Sequence, residues 1–449
     1  MEHVDVVIVA AGLAGLTTAR KLTEAGKSVR VLEARDRVAG RNHGDTLSNG
    51  VPLEMGGQWV GPTQDAVLEL IKELGLETFA SYDEGDAVTH FDGKVSRYAD
   101  ESFGLPEETA MEVGRLWEEI ETLAATVPLD APWEAPQAAE LDAQTLDSWF
   151  SANSSDALAL RFFRLLVPAL FSAEAPMMSL LHFLFYVKSG NGLASLVATT
   201  GGAQESRVVG GTHRISERMA EDLGDRVRLN AVVRTITQDD QGVVVAYEGG
   251  EVSAERVVVA VPPTLAGRLR YVPAMPSLRD GLTQQIPAGS VIKVQVAYET
   301  PFWREDGLSG FALSMDEAFN VVLDNSPADA SCGVLVGFLE GAHAREAGQL
   351  TVDERRSLVI GALVKFFGPR AAEPFDVLEK DWSAEEFTRG CYGGRLGGGV
   401  WTEYGKALAA PVGRIHWAGS ETSDVWNGYM DGAVRSGHRA AAEVLAELG

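Results

Sequence analysis

The spacing of apolar and polar positions changes along the chain, and each change predicts an element. Val4 to Val9 (VDVVIV) is a β-branched run closed by small residues, which predicts a buried strand. Leu13 to Ala25 then takes helical spacing and stops at Gly26, and Ser28 to Leu32 returns to an apolar strand ending at Glu33. Strand, turn, helix and strand in this order describe the βαβ unit of a parallel, doubly wound sheet.

Residues 108 to 190 carry apolar positions three to four apart with few glycines, and predict a helical block without a catalytic motif. Inside it, 165 to 187 (LLVPALFSAEAPMMSLLHFLFYV) has the length of a membrane span. Pro168, Glu174, Pro176 and His182 would be costly in lipid, so buried helices of a water-soluble core are predicted instead. From Arg226 to Val261 the pattern becomes RVRLNAVVRTI, GVVVAYE and VVVAVPP, three strand signals separated by Gln241-Gly242 and Gly249-Gly250. Residues 291 to 298 (VIKVQVAY) alternate with period two, which puts Lys293 and Gln295 on one face and Ile292, Val294 and Val296 on the other. There is no internal repeat, and sheet-rich and helix-rich stretches alternate, so two domains that the chain crosses more than once are expected.

Composition narrows the function. The net charge of −26 argues against a nucleic-acid binder, which needs a basic footprint. Hydrophobic residues make up 45% of the chain, enough to build packed cores rather than a disordered chain. Its two cysteines, Cys332 and Cys391, lie far apart, which excludes a disulfide framework and a cysteine-rich zinc site; no metal is expected, and a reducing cytoplasm fits. Met1 to Asp5 is acidic where a leader peptide is basic, and the last segment, DGAVRSGHRAAAEVLAEL, is amphipathic rather than an apolar tail. No membrane partner is expected.

The turn after the first strand, Ala10-Ala11-Gly12-Leu13-Ala14-Gly15, is a G-x-G-x-x-G pattern whose first glycine is alanine. Gly12 lets a pyrophosphate approach the helix N-terminus, Gly15 permits tight helix packing, and Glu33 suits a ribose hydroxyl. A methyl group at position 10 is harmless at negative φ and strained if the turn needs glycine geometry. The run Glu33-Ala34-Arg35-Asp36-Arg37-Val38-Ala39-Gly40-Arg41 follows at once, and then Gly56-Gly57-Gln58-Trp59.

These segments resemble the flavin-dependent amine oxidases of the monoamine oxidase family, whose signature ends in Gly-Gly-Arg where this chain has Ala39-Gly40-Arg41. The resemblance runs on in order through Val209-Gly210-Gly211, Ile215-Ser216-Glu217-Arg218, Leu229 to Ile236 and Val261-Pro262-Pro263. It continues through Gly289-Ser290-Val291-Ile292-Lys293, Pro301-Phe302-Trp303-Arg304, Trp382 and Arg389-Gly390-Cys391-Tyr392. It ends with Ala418-Gly419-Ser420-Glu421-Thr422 and Trp426-Asn427-Gly428-Tyr429-Met430-Asp431-Gly432-Ala433.

The resemblance implies an α/β fold. A Rossmann-like FAD-binding domain would comprise residues 1–78, 207–282 and 386–449, and a mixed-sheet plus helical substrate domain residues 79–206 and 283–385. It implies FAD held by Gly12, Ala14 and Gly15, with Glu33 on the ribose, Arg35, Gly40 and Arg41 near the diphosphate, and the backbone of Val233 at the adenine. Gly57, Gln58, Cys391, Gly419, Ser420, Tyr429 and Met430 complete that set. Lys293 would hold a water against the flavin and assist reoxidation by oxygen, Tyr392 and Tyr429 would wall an aromatic cage, and Trp382 would flank the ring. Cys391 stands where some members attach the flavin covalently and other bacterial members have no cysteine, so attachment and a free thiol both stay open.

The same resemblance places Ala169, Leu196, Val197, Gln204 and Val321 around the substrate. No arginine for an amino-acid carboxylate and no carboxylate for a second ammonium occupies these positions, so a primary apolar monoamine is the expected substrate. Its oxidation to an imine by hydride transfer, hydrolysis to an aldehyde or ketone plus ammonia, and reduction of oxygen to hydrogen peroxide follow. Oxidation of secondary, cyclic or poly-amines or of an L-amino acid stands as the alternative on this scaffold. A flavin-binding protein without turnover is the other, raised by Ala10 and Ala39. The expected partners are the amine and oxygen, and a homodimer is compatible with the sequence.

Overall fold

Val6, Val7, Ile8 and Val9 are all buried because their strand, Glu2–Val9, has a parallel neighbour on each side and a covered face above and below. The computed structural model describes residues 2–449. In its first sheet the strand order is Val227–Arg228, Val29–Leu32, Glu2–Val9, Gly250–Val259, Val243–Tyr247, Val233–Gln238 and Arg270–Val272. The long strand Gly250–Val259 pairs antiparallel with Val243–Tyr247 along its first half and parallel with Ile415–Trp417 along its second. Val6 and Ile8 face helices Leu13–Glu24, His213–Leu223 and Met430–Leu448, while Val7 and Val9 face the core beneath the hairpin. The βαβ opening and the second and third strand signals between 226 and 261 form as the periodicity predicts, but RVRLNAVVRTI splits into Val227–Arg228, beside Val29–Leu32, and Val233–Gln238, beside Val243–Tyr247.

The second sheet is mostly antiparallel, in the order Asp376–Asp381, Val291–Tyr298, Gly333–Glu340, Val321–Asp324, Leu308–Ser314, Asp86–Phe91 and Lys94–Tyr98. Helix Val352–Phe367 covers one of its faces through Val359, Leu363 and Phe366. Val291–Tyr298 forms as predicted, but all eight residues are buried, so the polar face carrying Lys293 and Gln295 also points into protein. A cluster of helices, Glu107–Ala125, Leu146–Asn153, Ala157–Phe171 and Leu180–Ser189, packs around Phe150, Phe163, Phe183 and Phe185.

The apolar run at 165 to 187 is broken between Phe171 and Leu180, where Glu174 and Pro176 stand, while Pro168 and His182 lie inside the flanking helices. The first helix ends at Phe171 with Ser172 in the left-handed region (φ 51°), and Ser179 caps the next by accepting from the His182 N–H. Among the described residues no helix is long and apolar enough to cross a membrane.

Candidate active site

The glycine-rich turn leads from strand Glu2–Val9 into helix Leu13–Glu24, and its geometry explains which positions tolerate a side chain. A Cβ on Gly15 would stand 2.1 Å from the Ala10 carbonyl oxygen, so only glycine lets the helix start this close to the strand. A Cβ on Gly12 would meet nothing within 4 Å, so the helix N-terminus faces open space there. Ala10 has φ 92° and Ala39 φ 77°, so both alanines sit in glycine geometry. The Glu33 carboxylate is set beside the turn: its Oε2 accepts from the Ala11 N–H (2.7 Å) and its Oε1 from the Arg35 N–H (3.0 Å).

Both arginines expected near a diphosphate are already paired. Arg41 donates to both Glu421 oxygens (2.6 and 3.0 Å), to the Tyr392 carbonyl (2.7 Å) and to Ser420 Oγ (3.1 Å). Burial works against the Glu421 charge, but the Arg41 guanidinium outweighs it and holds the carboxyl below its ordinary range. Arg35 donates to Thr388 Oγ1 (2.6 Å) and approaches Glu385 (3.4 Å).

One cavity of about 510 Å³ connects this turn to the second sheet and the helical cluster. It is lined by every residue that the sequence singles out for cofactor, catalysis or substrate except Gly15, whose place is in the helix packing. At one end lie Gly12, Glu33, Arg35 and Val233, in the middle Gly57, Gln58, Trp382, Cys391 and Met430, and at the far end Ala169, Leu196, Val197, Gln204 and Val321. An open helix N-terminus, a fixed carboxylate beside it and a long cavity running to aromatic walls suit FAD, an elongated dinucleotide with a flat ring system.

Strand register brings the catalytic candidates together. Lys293 pairs with Phe338, and Phe338 pairs with Val321, so the three side chains stand in a row on one face of the sheet. Lys293 Nζ donates to the Gly56 carbonyl (2.9 Å) and to Gln58 Oε1, and lies over the rings of Trp59 (5.6 Å) and Phe338 (5.8 Å). Burial lowers its pKa to about 7; the Glu54 charge opposes this and the Arg207 charge adds to it. Tyr392 meets Phe338 edge to face (6.0 Å) and donates its hydroxyl to Glu340 Oε1 (2.7 Å). Tyr429 packs against Trp426 (4.9 Å) and Tyr186 (5.9 Å), and Trp382 Nε1 donates to the Met55 carbonyl (2.9 Å).

Burial pushes Glu340 up to about 8 despite the Tyr392 hydroxyl, and raises the Cys391 thiol to about 12. Cys391 is buried in the cavity wall and forms no disulfide.

Glu340, Phe338, Trp59 and Tyr186 also line the cavity and are absent from the sequence-based set. The strand GVLVGFLE around Phe338 and Glu340 reads as core, and only its register against Lys293 reveals them. At its helical end the cavity is bounded by Phe103, Trp117, Phe162, Leu165, Phe311 and Leu313, and carries no charged side chain. Gln204 supplies the amide there: its Nε2 donates to the Leu196 carbonyl (3.1 Å), while its Oε1 has no partner.

A family model described as flavin containing amine oxidoreductase matches residues 13–445. A putative flavin-containing monoamine oxidase, AofH, of Mycobacterium tuberculosis is 40% identical over 99% of this chain and 97% of its own length. Among solved structures, putrescine oxidase with putrescine bound is 40% identical with a TM-score of 0.96, covering 99% of both chains. Cyclohexylamine oxidase from Brevibacterium oxydans is 34% identical with a TM-score of 0.95, also covering 99% of both.

Proposed function

The chain belongs to the flavin-containing amine oxidoreductase family, and on that premise we propose that it oxidises a primary apolar monoamine, open-chain or cyclic, with oxygen as the acceptor. The observation that carries this reading is the helical end of the cavity, where aromatic and aliphatic side chains surround one amide and no charge. An apolar substituent gains there by leaving water, whereas a carboxylate or second ammonium would be buried there without a counter-charge.

FAD, which Gly12, Glu33, Arg35, Gly57, Met430 and the backbone of Val233 would hold along the cavity wall, would supply a two-electron acceptor for the hydride leaving Cα of the amine. The protein's own groups prepare that transfer. Tyr392 and Tyr429, both in the cavity wall, would orient the amine and exclude water, and Glu340 fixes the Tyr392 ring by accepting a hydrogen bond from its hydroxyl. The amine gives up a hydride and one N–H proton to become the imine, which water hydrolyses to a carbonyl compound and ammonia. Oxygen takes two electrons and two protons to give hydrogen peroxide. Lys293 Nζ stands at the cavity wall, where a positive charge favours the negative charge that develops on oxygen.

A second reading, oxidation of a diamine, is favoured by the likeness to putrescine oxidase and by Glu340, the carboxylate closest to the proposed cage. Anaerobic addition of cyclohexylamine, benzylamine, putrescine and L-leucine, followed by flavin absorbance, separates the two. We expect rapid bleaching by the first two amines. Faster bleaching by putrescine would give the diamine reading priority, and no bleaching by any amine would overturn both.

A further inference from the structure

From Gln58 in the cavity wall beside Lys293, three buried carboxamides form an unbroken line that leads away from the cavity. Gln58 Oε1 accepts from Lys293 Nζ, and Gln58 Nε2 donates to Asn325 Oδ1 (2.6 Å). Asn325 Nδ2 donates to Gln295 Oε1 (2.8 Å), and Gln295 Nε2 donates to the Glu54 carbonyl (2.8 Å). The three residues come from distant parts of the chain: Gln58 from the loop before Trp59–Val60, Gln295 from the lysine strand, and Asn325 from just past strand Val321–Asp324. All three are 1% exposed or less.

The direction of the line is set by its ends. A backbone carbonyl can only accept, so Gln295 must turn its NH2 group toward Glu54; an ammonium can only donate, so Gln58 must turn its oxygen toward Lys293. Reversing the line would oppose two oxygens at one end and two sets of N–H groups at the other. Each amide therefore points its negative end at Lys293, and such chains polarise one another in a low-dielectric interior. Arg207 pins the far half by donating to the carbonyls of Asn325 (2.9 Å) and Ser326 (2.8 Å) and to the Glu54 carboxylate (3.0 Å).

We propose that Gln58, Asn325 and Gln295 are positioning residues that act as one polarised amide chain, holding Lys293 in its ammonium form at the cavity wall. This rests on the role given to Lys293 above. A lysine this deeply buried loses its proton readily, and the charged groups around it do not decide the matter: Glu54 and Arg207 pair with each other and oppose each other's effect on Lys293. Lys380, its cross-strand neighbour on Asp376–Asp381, is paired with Glu385, and Glu340, two residues beyond Phe338, is engaged by Tyr392. The amide chain supplies an oriented field with no net charge, so it favours the ammonium without placing a competing anion near the reacting centre.

The test uses the FAD-loaded protein labelled with carbon-13 at lysine Cε, with the Lys293 signal assigned by its loss in Lys293→Met. Its titration midpoint is compared among the parent, Gln58→Met and Gln295→Met. Gln58→Met removes a bond to the charge itself, and the midpoint should fall by about one pH unit. Gln295→Met touches neither Lys293 nor the cavity, yet should lower the midpoint in the same direction by a smaller amount. The pH profile of reoxidation by oxygen should move with the lysine midpoint. A folded Gln295→Met protein whose midpoint is unmoved overturns the proposal. Should that variant not fold, Asn325→Ser, which keeps a hydroxyl in the line but removes the amide dipole, is read against the same two outcomes. A protein that no amine reduces defeats the functional reading but leaves the lysine titration readable, so the two failures are distinct.

Discussion

Ala10 and Ala39 hold the backbone at φ 92° and 77°, where a Cβ crowds the neighbouring carbonyl and costs roughly 1–2 kcal/mol per residue. Glycine removes that strain but loses more entropy on folding, so Ala10→Gly and Ala39→Gly should each stabilise the protein by about 0.5–1 kcal/mol. Ala10 also lines the cavity at the helix N-terminus, and loss of its methyl should tighten FAD binding several-fold, read by fluorescence quenching on titration of the apoprotein. Unchanged melting and unchanged affinity would mean that the turn relaxes around the alanines.

Glu340 offers a second test at this scale. Its folded pKa of about 8 lies above the ordinary 4.5, so the folded state binds the extra proton between these values. That contribution to stability is complete below about pH 4.5 and is lost as pH rises through 8. Glu340→Gln, which cannot ionise, should therefore flatten the decline of melting temperature across that window. A decline as steep as the parent's would place the responsible group elsewhere.

At the scale of elements, three segments cross at Gly289. A Cβ there would lie 2.4 Å from the Phe171 carbonyl oxygen, 2.5 Å from that of Cys391 and 2.8 Å from Ser172 Cβ. The end of helix Ala157–Phe171, the approach to the lysine strand and the Cys391-Tyr392 segment thus share one close approach. Gly289→Ala must push backbone rather than a flexible side chain. It should destabilise by about 1–3 kcal/mol and slow flavin reduction by amine, as seen in stopped-flow absorbance, because Tyr392 is displaced. Reduction at the parent rate would show that the segments give way without moving the cage.

The periodicity of the chain made individual elements readable: the βαβ opening, the hairpin strands and the alternation at 291 to 298 all form. It could not show what covers each face, and so Lys293 and Gln295, which read as a polar face, lie buried instead. Nor could it supply register. The row Val321, Phe338 and Lys293 depends on pairing between strands far apart in sequence, and the amide line depends on Asn325, a loop residue with no periodic signal. The glycine pattern and the resemblance pointed to cavity-lining positions because backbone approach to a dinucleotide constrains residues locally.

At the scale of the whole molecule, the walls of the cavity come from both large sheets and from the helical cluster. A flat, elongated cofactor filling it would bridge these bodies, so its binding energy should appear as cooperativity between them. A ligand held at a hundred times its dissociation constant adds about 2.7 kcal/mol of stability. Stripping FAD should therefore lower the melting temperature and speed amide hydrogen exchange at both ends of the cavity together, in residues 10–15 of the turn and 388–392 beside the cage. Strand Glu2–Val9, paired on both sides, should keep its protection. Exchange that rises at the turn alone would mean the cofactor contacts only the first sheet, and the aromatic end of the cavity would then need another occupant.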